Sequence, residues 1–338
     1  MGGATRKFKS EVAQNHLVMQ ATAQRILVVG GNGFIGSAIC RAALAKGMEV
    51  TSVSSSGRPY ATPKGHSPAW TSKVIWLRGN ALDPSTFSHI LPEVGGVVHT
   101  IGTLFEDGGE YKAALKEGDI TKLVGGFFNN VVSGGSNPLA QKRREGSYET
   151  LNRDSALRVC EAFIRSGEGK TYPKPRPFVY LSAEDISRPV VPARYIETKR
   201  EAEQGIEALV STKPESYRGV YIRPSLVYHA HYRPLTTPAA ALLDLSAAVH
   251  KNVPPGIPKP ADVLRKVGDA ISPRTVPSEG HVDVGSMLES VANALTIPPV
   301  HVDHVGEAIA ATLRSDDVRG VVGVSRMREL IGWDHMES

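Results

Sequence analysis

The sequence lacks the long apolar runs and the cysteine content that mark membrane-spanning and disulfide-rich proteins. No apolar run approaches the ~20 residues that a transmembrane helix requires, so contact with a membrane would be peripheral. The chain of 338 residues contains two cysteines, Cys40 and Cys160, which are too few for a disulfide framework. This cysteine content indicates a reducing intracellular compartment.

The chain also lacks a concentrated basic surface in its sequence, although its net charge is +5. The longest basic run is Lys142-Arg143-Arg144, which Glu145 interrupts. No ladder of aromatic residues accompanies it, whereas single-strand nucleic-acid binders interleave aromatic and basic side chains. The run therefore indicates a solvated loop, and no nucleic-acid partner is predicted.

Acidic residues are scarce in the first 24 residues. This segment contains Arg6, Lys7 and Lys9 but the single acid Glu11, and it has no secretory-type apolar core. Such a basic, acid-poor composition is typical of a mitochondrial transit peptide. The alternative is a disordered N-terminal extension that carries no address.

Strand-like and helix-like patterns alternate along the next 200 residues, which predicts a Rossmann-like α/β fold with a doubly wound parallel sheet. Apolar runs typical of buried parallel strands occupy 25–30, 48–54, 74–77, 96–102, 178–182 and 219–223, and helical spacing occupies 37–46, 152–166 and 196–210.

The predicted Rossmann domain covers 25–228 and contains a glycine-rich insertion at 103–147. Residues 229–338 then form a smaller C-terminal region on the substrate side. Helical patterns within it lie at 239–249 and 287–295. The stretch 299–313 is predicted to pack back on the Rossmann domain.

The turn after the first strand has the glycine spacing of a dinucleotide phosphate loop. Glycines allow the backbone to turn tightly and to approach a pyrophosphate, while the following helix N-terminus attracts the anion. A side chain on Gly33 would hold the phosphates away, and one on Gly36 would push the helix off the sheet. The residues predicted to bind the phosphates are Gly30, Asn32, Gly33, Phe34, Ile35 and Gly36.

The end of the second strand predicts NADP(H) in preference to NAD(H). An acid for the ribose hydroxyls is typical of NAD sites, but here Ser54, Ser56 and Arg58 follow the strand. Hydroxyls and an arginine suit a 2′-phosphate, although Arg58 could instead only cap a loop. Further predicted cofactor contacts are Asn80 and Leu82 at the adenine and His99, Thr100 and Gly102 along the ribose and diphosphate.

A Tyr-Lys pair supplies the candidate catalytic groups. Tyr195 and Lys199 are four residues apart and share a helical face, so the lysine charge would lower the tyrosine pKa for proton transfer. Ser182 would hydrogen-bond the substrate oxygen that exchanges a proton with Tyr195. Asn152 would hold a water in the proton path. A second match, Tyr60 to Lys64, lies between prolines and is interpreted as a surface loop.

Two later segments fit the same plan. Arg223 and Pro224 follow the sixth strand, which predicts contact with the nicotinamide. Asp303 precedes a helical pattern and is expected to cap that helix, with a contact to the substrate-side loops as the alternative. No metal site is predicted.

Together these residues resemble the extended and atypical short-chain dehydrogenase/reductases over roughly residues 25 to 325. Within that group the chain is similar to the fungal mitochondrial accessory proteins of coenzyme Q biosynthesis, relatives of the 39 kDa NADPH-binding subunit of complex I. The closer resemblance rests on 30–36, 53–57, 136–139, 148–156, 195–203 and 319–322. Two positions depart from the extended pattern: His229 replaces a common Gly, and Asn80 a common Asp.

The resemblance implies a protein on the matrix side of the mitochondrial inner membrane that works with the ubiquinone-synthesis complex. One expectation is an NADP(H)-dependent oxidoreductase that acts on a quinone ring or a prenylated precursor through Tyr195 and Lys199. Another is a non-catalytic NADP(H)-binding assembly subunit, because the complex I relative is regarded as holding its NADPH structurally. A sugar-nucleotide epimerase or dehydratase is supported only by analogy of fold.

Overall fold

A computed structural model of the chain describes residues 25–102, 147–186, 193–229, 236–254, 258–271 and 284–333. The predicted transit peptide, the basic run at 142–144 and nearly all of the insertion at 103–147 lie outside the described residues. In the described part of the chain, every helix is too short or too polar to cross a bilayer.

The strands of the described residues are β1 (Arg25–Val29), β2 (Glu49–Ser54), β3 (Val74–Arg78), β4 (Gly96–His99), β5 (Arg176–Leu181), β6 (Tyr217–Ile222), β7 (Val227–Tyr228), β8 (Val300–His301) and β9 (Gly320–Val322). Seven of them form a parallel central sheet in the order β3-β2-β1-β4-β5-β6-β9. The order reverses between β1 and β4, where a doubly wound sheet opens a crevice at the carboxyl ends of its strands.

Helices cover both faces of the sheet because its strands are apolar on both sides. In β1, Ile26 and Val28 pack toward one face and Leu27 and Val29 toward the other. The helices are α1 (Phe34–Ala45), α2 (Ser155–Ser166), α3 (Ala193–Val210), α4 (Thr236–Lys251), α5 (Pro260–Ile271), α6 (Val284–Thr296), α7 (Val302–Arg314) and α8 (Val324–Leu330). Helices α1 and α7 share one core with part of α8, and α2 and α3 share the other.

The C-terminal region contributes to two parts of the fold. Helices α4 and α5 pack against α6, and the parallel pair β7–β8 connects this group to the sheet domain. Helix α7 then returns to pack on α1, so closely that a Cβ on Gly306 would lie 2.7 Å from the Ala38 carbonyl oxygen. Strand β9 adds the seventh strand beside β6.

The predicted Rossmann-like doubly wound fold is confirmed, while several details differ. The fourth strand ends at His99 rather than at 102, and a single π-helical segment, Glu149–Asp154, precedes α2. The elements α5, β7, β8, β9 and α8 were not expected. Strands of two or three residues are too short to show a sequence period, so only their pairing partners define them.

Candidate functional site

The loop between β1 and α1 forms the floor of the crevice. Gly30 has a φ of 89°, a left-handed conformation that favours glycine, and its carbonyl oxygen accepts the Gly33 N–H at 3.0 Å. No described side chain caps α1, which begins after Gly33 without an acid in its first turn. The positive end of the helix dipole therefore faces the crevice without a protein carboxylate beside it, as an anion site requires.

Gly36 and Gly33 are glycines for different reasons. A Cβ on Gly36 would overlap the Gly30 carbonyl oxygen and come within 2.8 Å of the Gly31 Cα, so the helix could not keep its position. A Cβ on Gly33 would meet only the Gly30 oxygen, at 3.2 Å, and otherwise open space. Contacts within the protein thus exclude a side chain at position 36. At position 33 the protein leaves space for a side chain, so the close approach of a ligand better explains the glycine.

The turn after β2 is joined to the glycine loop by side-chain hydrogen bonds. Asn32 donates through Nδ2 to Ser56 Oγ at 3.1 Å and to the Arg58 carbonyl at 3.4 Å, and Ser54 Oγ lies 3.5 Å from Ser56 Oγ. Arg58 itself is exposed and forms no ion pair with a described residue. The predicted 2′-phosphate residues are therefore brought together beside the phosphate loop.

Arg78 is a second cation at this corner that sequence reasoning missed. It ends β3, and a Cβ on Gly57 would lie 2.8 Å from the Arg78 Cβ, so the Gly57 turn packs directly on this residue. Arg78 is also exposed and without an ion pair among the described residues. The pairing of Ser54 with Arg78 between β2 and β3 was the missing information, since it places Arg78 beside the Ser54–Arg58 turn.

The predicted adenine-side residues form a compact turn after β3. Asn80 Oδ1 accepts the Leu82 N–H at 3.0 Å, and the Asn80 N–H donates to Thr86 Oγ1. Arg158 of α2 donates to the Leu82 carbonyl at 2.6 Å and fixes the turn to the helix. Asn80 therefore shapes this loop through its own amide group.

The end of β4 divides into a buried and an open part. Thr100 donates to the Val29 carbonyl through both its N–H and its hydroxyl, which closes the strand end against β1. His99 is fully buried, contacts Ser155 at 3.2 Å and lies beside Tyr180. The predicted contact between His99 and a cofactor thus does not suit its side chain, which supports the site from below.

The π-helical segment before α2 frees two backbone carbonyls for side chains. The Asn152 carbonyl accepts the Tyr180 hydroxyl at 2.5 Å, and the Leu151 carbonyl accepts the Ser155 hydroxyl at 2.8 Å. The Asn152 amide donates to Thr198 of α3 at 3.3 Å. π-helical segments are frequent at functional sites. This one positions the Asn152 side chain toward α3.

Lys199 lies at the centre of the opposite half of the site. Its Nζ donates to the Leu181 carbonyl at 2.9 Å and sits 4.8 Å above the Tyr180 ring. A Cβ on Gly102 would be 2.8 Å from both Lys199 Nζ and Asn152 Oδ1, so these three residues meet at one point. Burial lowers the pKa of Lys199 to about 7, with Glu203 raising it and Arg200 lowering it further.

The expected effect of Lys199 on Tyr195 is wrong for this structure. Burial raises the pKa of Tyr195 to about 12, and the cation that opposes this rise is Arg200. The two side chains do start the same helix, and Tyr195 packs edge-on against Tyr148 with ring centroids 6.1 Å apart. The tyrosine hydroxyl is thus protonated at neutral pH in this state.

Ser182 belongs to a buried ionic cluster with Glu203 and Arg200. Its hydroxyl donates to Glu203 and accepts from Arg200 at 3.1 Å. Glu203, only 5% exposed, also binds Arg200 at 2.8 Å and accepts two hydrogen bonds from Arg223. These bonds engage the Ser182 hydroxyl and the Arg223 guanidinium inside the protein, while the expected contacts of Ser182 with substrate and of Arg223 with nicotinamide stay predictions.

The members Arg200 and Glu203 were missed in the sequence, although a signal was present. Glu203 is four residues after Lys199 and therefore on the same helical face. An acid on the buried face of an amphipathic helix indicates a partner cation. Pro224 follows Arg223, and its carbonyl accepts the Glu184 N–H at 2.9 Å.

Asp303 does not cap α7, contrary to the expectation. The cap is His301, whose Nδ1 accepts the Asp303 N–H at 3.3 Å. Asp303 instead lies in the first turn and forms an ion pair with Arg41 of α1. An acid in the first turn interacts favourably with the helix dipole, and the ion pair fixes α7 to α1.

The other Tyr-x-x-x-Lys match is in a loop, where Tyr60 stacks on Trp70 with ring centroids 5.8 Å apart.

The fold and this site define a Rossmann-type α/β protein with a glycine-rich dinucleotide loop and a buried lysine at the far end of the crevice. Residues 26–113 match the family model described as the NAD dependent epimerase/dehydratase family. This range includes the glycine loop, the β2 turn and the end of β4, but none of the Tyr195–Lys199 half.

Two curated relatives and one solved structure extend the comparison. MIOREX complex component 2 of Saccharomyces cerevisiae is 29% identical over 61% of this chain and 74% of its own. An uncharacterized chloroplastic protein of Arabidopsis thaliana is 25% identical over 93% of this chain and 79% of its own. The structure of 3-oxoacyl-[acyl-carrier protein] reductase from Brucella melitensis in complex with NAD has a TM-score of 0.52 and 14% identity, covering 91% of this chain and 97% of its own.

These findings agree with the expected resemblance: the nucleotide half matches the epimerase/dehydratase family model, and one curated relative is fungal. The similarity to the Brucella structure concerns the fold, since its identity is low. The family match concerns the nucleotide half of the crevice, so the chemistry of the other half must be argued from its own geometry.

Proposed function

We propose that this chain is an NADP(H)-dependent oxidoreductase of the mitochondrial matrix that acts on a quinone-ring or prenylated precursor in ubiquinone biosynthesis. The observation that carries the catalytic part is the meeting of Lys199 Nζ and Asn152 Oδ1 at Gly102, at the same sheet edge as the glycine loop. A buried lysine in this position suits a ribose hydroxyl and a neighbouring tyrosine.

The residues of the crevice fit a dinucleotide in three places. Gly33 leaves open space above the N-terminus of α1 for the phosphates. Arg58 and Arg78 are exposed beside Ser54 and Ser56, and the exposed Gly102 lets the chain pass directly beside Lys199 Nζ. A bound nicotinamide would supply or accept a hydride, while the chain supplies position and the proton.

Tyr195 and Lys199 give the proton step a direction. Because the pKa of Tyr195 is raised to about 12, its hydroxyl carries a proton that it can donate to a substrate oxygen as hydride arrives. The phenolate that remains is stabilised by the positive charge of Arg200. The resting site therefore suits reduction, and oxidation requires the proton to leave Tyr195 first.

The catalytic proposal is tested by Tyr195→Phe, which removes one oxygen from the ring. We expect NADPH binding and thermal stability close to wild type, and loss of ubiquinone restoration in cells that lack the protein. Lys199→Met should weaken cofactor binding as well. Full restoration of ubiquinone by Tyr195→Phe would exclude the acid/base role.

A non-catalytic NADP(H)-binding assembly protein is the second candidate, and the Ser182 cluster favours it. The hydroxyl that would complete a tyrosine–lysine–serine site is held by Glu203 and Arg200. In that case Tyr195→Phe restores ubiquinone, while Gly33→Val, which blocks the phosphates, does not. These two variants together separate turnover of the cofactor from its binding.

The location is proposed from the composition of residues 1–24 and from the relatives, one of which is a MIOREX complex component and one chloroplastic by name. A fusion of residues 1–24 to a fluorescent protein should enter mitochondria, and diffuse fluorescence would contradict the transit peptide. Peripheral membrane contact and binding to ubiquinone-synthesis proteins are part of the same proposal. The exposed apolar side chains of α4 and α5 offer a surface for such contacts: Leu245, Val249, Val263 and Val267.

A further inference from the structure

The side chain of Asn32 connects the glycine loop to the turn after β2. Its Nδ2 lies 3.1 Å from Ser56 Oγ and 3.4 Å from the Arg58 carbonyl oxygen. Because a carbonyl oxygen can only accept hydrogen bonds, the atom that faces Arg58 must be the NH2 group of the amide. Asn32 therefore donates to both groups, and Ser56 is the acceptor of the bond between the two side chains.

The hydroxyl of Ser56 accepts a second hydrogen bond, from the Arg58 N–H at 3.3 Å. A serine hydroxyl has two acceptor lone pairs and one proton, so these two N–H donors occupy both lone pairs. The remaining contact is Ser54 Oγ at 3.5 Å, which can then only accept the Ser56 proton. Hydroxyl–hydroxyl bonds are normally about 2.7 Å long, so a stronger acceptor beside Ser56 would take this proton.

Cations complete the corner between the glycine loop and the β2 turn. Arg58 and Arg78 are exposed, and neither forms an ion pair with any residue that the structure describes. Arg78 belongs to this corner because it pairs with Ser54 between β2 and β3. An acid at the end of the second strand is typical of NAD sites, but residues 53–58 contain none. The corner thus presents protons and positive charge to a ligand.

We propose that Asn32 is a positioning residue that selects the cofactor, because its amide keeps the Ser56 hydroxyl a donor. An ionised 2′-phosphate only accepts hydrogen bonds, so it is suited to a fixed donor beside two arginines. The ribose hydroxyls of NAD(H) are instead bound by an acceptor, which Ser56 cannot provide while both its lone pairs are occupied. This inference rests on the proposed preference for NADP(H), and it assigns part of that preference to the glycine loop.

Asn32→Asp tests this role, because it exchanges the amide for a carboxylate of the same shape. The carboxylate would accept the Ser56 proton and attract Arg58, and both groups would be lost to a 2′-phosphate. Calorimetric titration of the full chain measures the binding of each nucleotide. We expect NADPH binding to weaken about tenfold and NADH binding to stay within about twofold of wild type.

Asn32→Ala is the second variant, because it frees one lone pair of Ser56 without adding a charge. It should weaken NADPH binding about threefold, while NADH binding stays within about twofold of wild type. Thermal unfolding of each variant establishes that the fold is retained.

Asn252→Asp is the matched control. The exposed amide of Asn252 also donates to a backbone carbonyl, that of Ala248 at 2.8 Å, but it follows α4 in the C-terminal region. The same change of charge there should leave the ratio of NADPH affinity to NADH affinity at the wild-type value.

Two results would overturn the role of Asn32 while the wild type still prefers NADPH. One is an unchanged affinity ratio in Asn32→Asp, and the other is an equal weakening of both nucleotides, which a merely structural role would produce. Equal binding of NADPH and NADH by the wild type, or binding of neither, would overturn the proposed preference for NADP(H) and this inference with it.

Discussion

The two halves of the crevice are built in opposite ways. The nucleotide half, from Gly30 to Arg78, is shaped by backbone and short side chains, and its cations Arg58 and Arg78 have no ion-pair partner among the described residues. In the reaction half the cations are engaged inside the protein: Lys199 on a carbonyl, and Arg200 and Arg223 on Glu203. The nucleotide half can therefore bind an anionic ligand through its unpaired arginines, whereas the cations of the reaction half are already bound by protein groups.

Sequence motifs define the nucleotide half of the site better than the reaction half. A phosphate loop functions through backbone geometry, so the glycines that form it are visible in the sequence. A catalytic triad functions through side-chain directions, and Ser182 shows that a residue of the correct type can be turned to another partner.

Removing Glu203 should have the largest effect. Glu203→Ala removes the carboxylate that is hydrogen-bonded to Arg200 and Arg223 and leaves only the weaker attraction of Glu184, which should lower the free energy of unfolding by about 3 kcal/mol. Denaturant unfolding measures this loss. Glu207→Ala, in the same helix at a partly exposed tyrosine contact, is the comparison variant and should cost less. A loss below that of Glu207→Ala would show that the cluster does not stabilise the reaction half.

The glycines of the nucleotide half should separate folding from binding. Gly36→Ala places a methyl group against the Gly30 carbonyl, so we expect a loss of about 2 kcal/mol in unfolding free energy. Gly33→Ala should leave stability within about 0.5 kcal/mol and weaken dinucleotide binding instead. Calorimetry of unfolding and titration with NADPH give both values. An equal loss of stability in both variants would contradict the separate roles of Gly36 in folding and Gly33 in binding.

Acid should destabilise the protein through His99, beneath the boundary of the two halves. Burial, and then the Lys199 charge, lower the pKa of His99 to about 3. The unfolded chain therefore binds a proton that the folded chain does not, and stability present above pH 6.5 is lost as the pH falls. The expected loss at about pH 5 is about 2 kcal/mol, and His99→Gln should flatten this dependence. An unchanged pH profile in His99→Gln would assign the acid effect elsewhere.

The smallest effect is expected for the cations beside the β2 turn. Arg58→Ala and Arg78→Ala should each weaken NADPH binding by about 1 kcal/mol, roughly fivefold, and leave NADH binding nearly unchanged. Arg25→Ala serves as the control, because Arg25 lies at the amino end of β1, away from the β2 turn, where it pairs with Glu49 and Glu93. Equal weakening of both nucleotides would remove the basis for preferring NADP(H).

Much of the fold could be predicted because local and global signals agree. Strand-like runs and helical spacing occur in the correct order for a doubly wound sheet, and the glycine loop lies between β1 and α1 as expected. The missed elements, such as β9 and α8, carry weak local signals. Strand β9 is three residues long and forms only because β6 offers an open edge.

The site was predicted less completely than the fold. The sequence placed Ser54, Ser56 and Arg58 together after β2, and the structure adds hydrogen bonds from Asn32 of the glycine loop to this turn. It did not show Arg78 beside them, because the order of β2 and β3 in the sheet was needed. It also assigned His229 to the shape of a substrate pocket, while the structure stacks this ring on His301.

By itself the sequence determined the parallel sheet, the glycine loop and the position of Tyr195 and Lys199 on one helical face. These follow from backbone preferences and from periods that each segment carries alone. The tertiary structure was needed to show that burial raises the pKa of Tyr195 and that the Ser182 hydroxyl donates to Glu203. It was also needed to show that the rings of His229, His301 and His304 contact one another in sequence. Such outcomes depend on which side chains meet after folding and on the water that their contact excludes, and neither is encoded by any single segment.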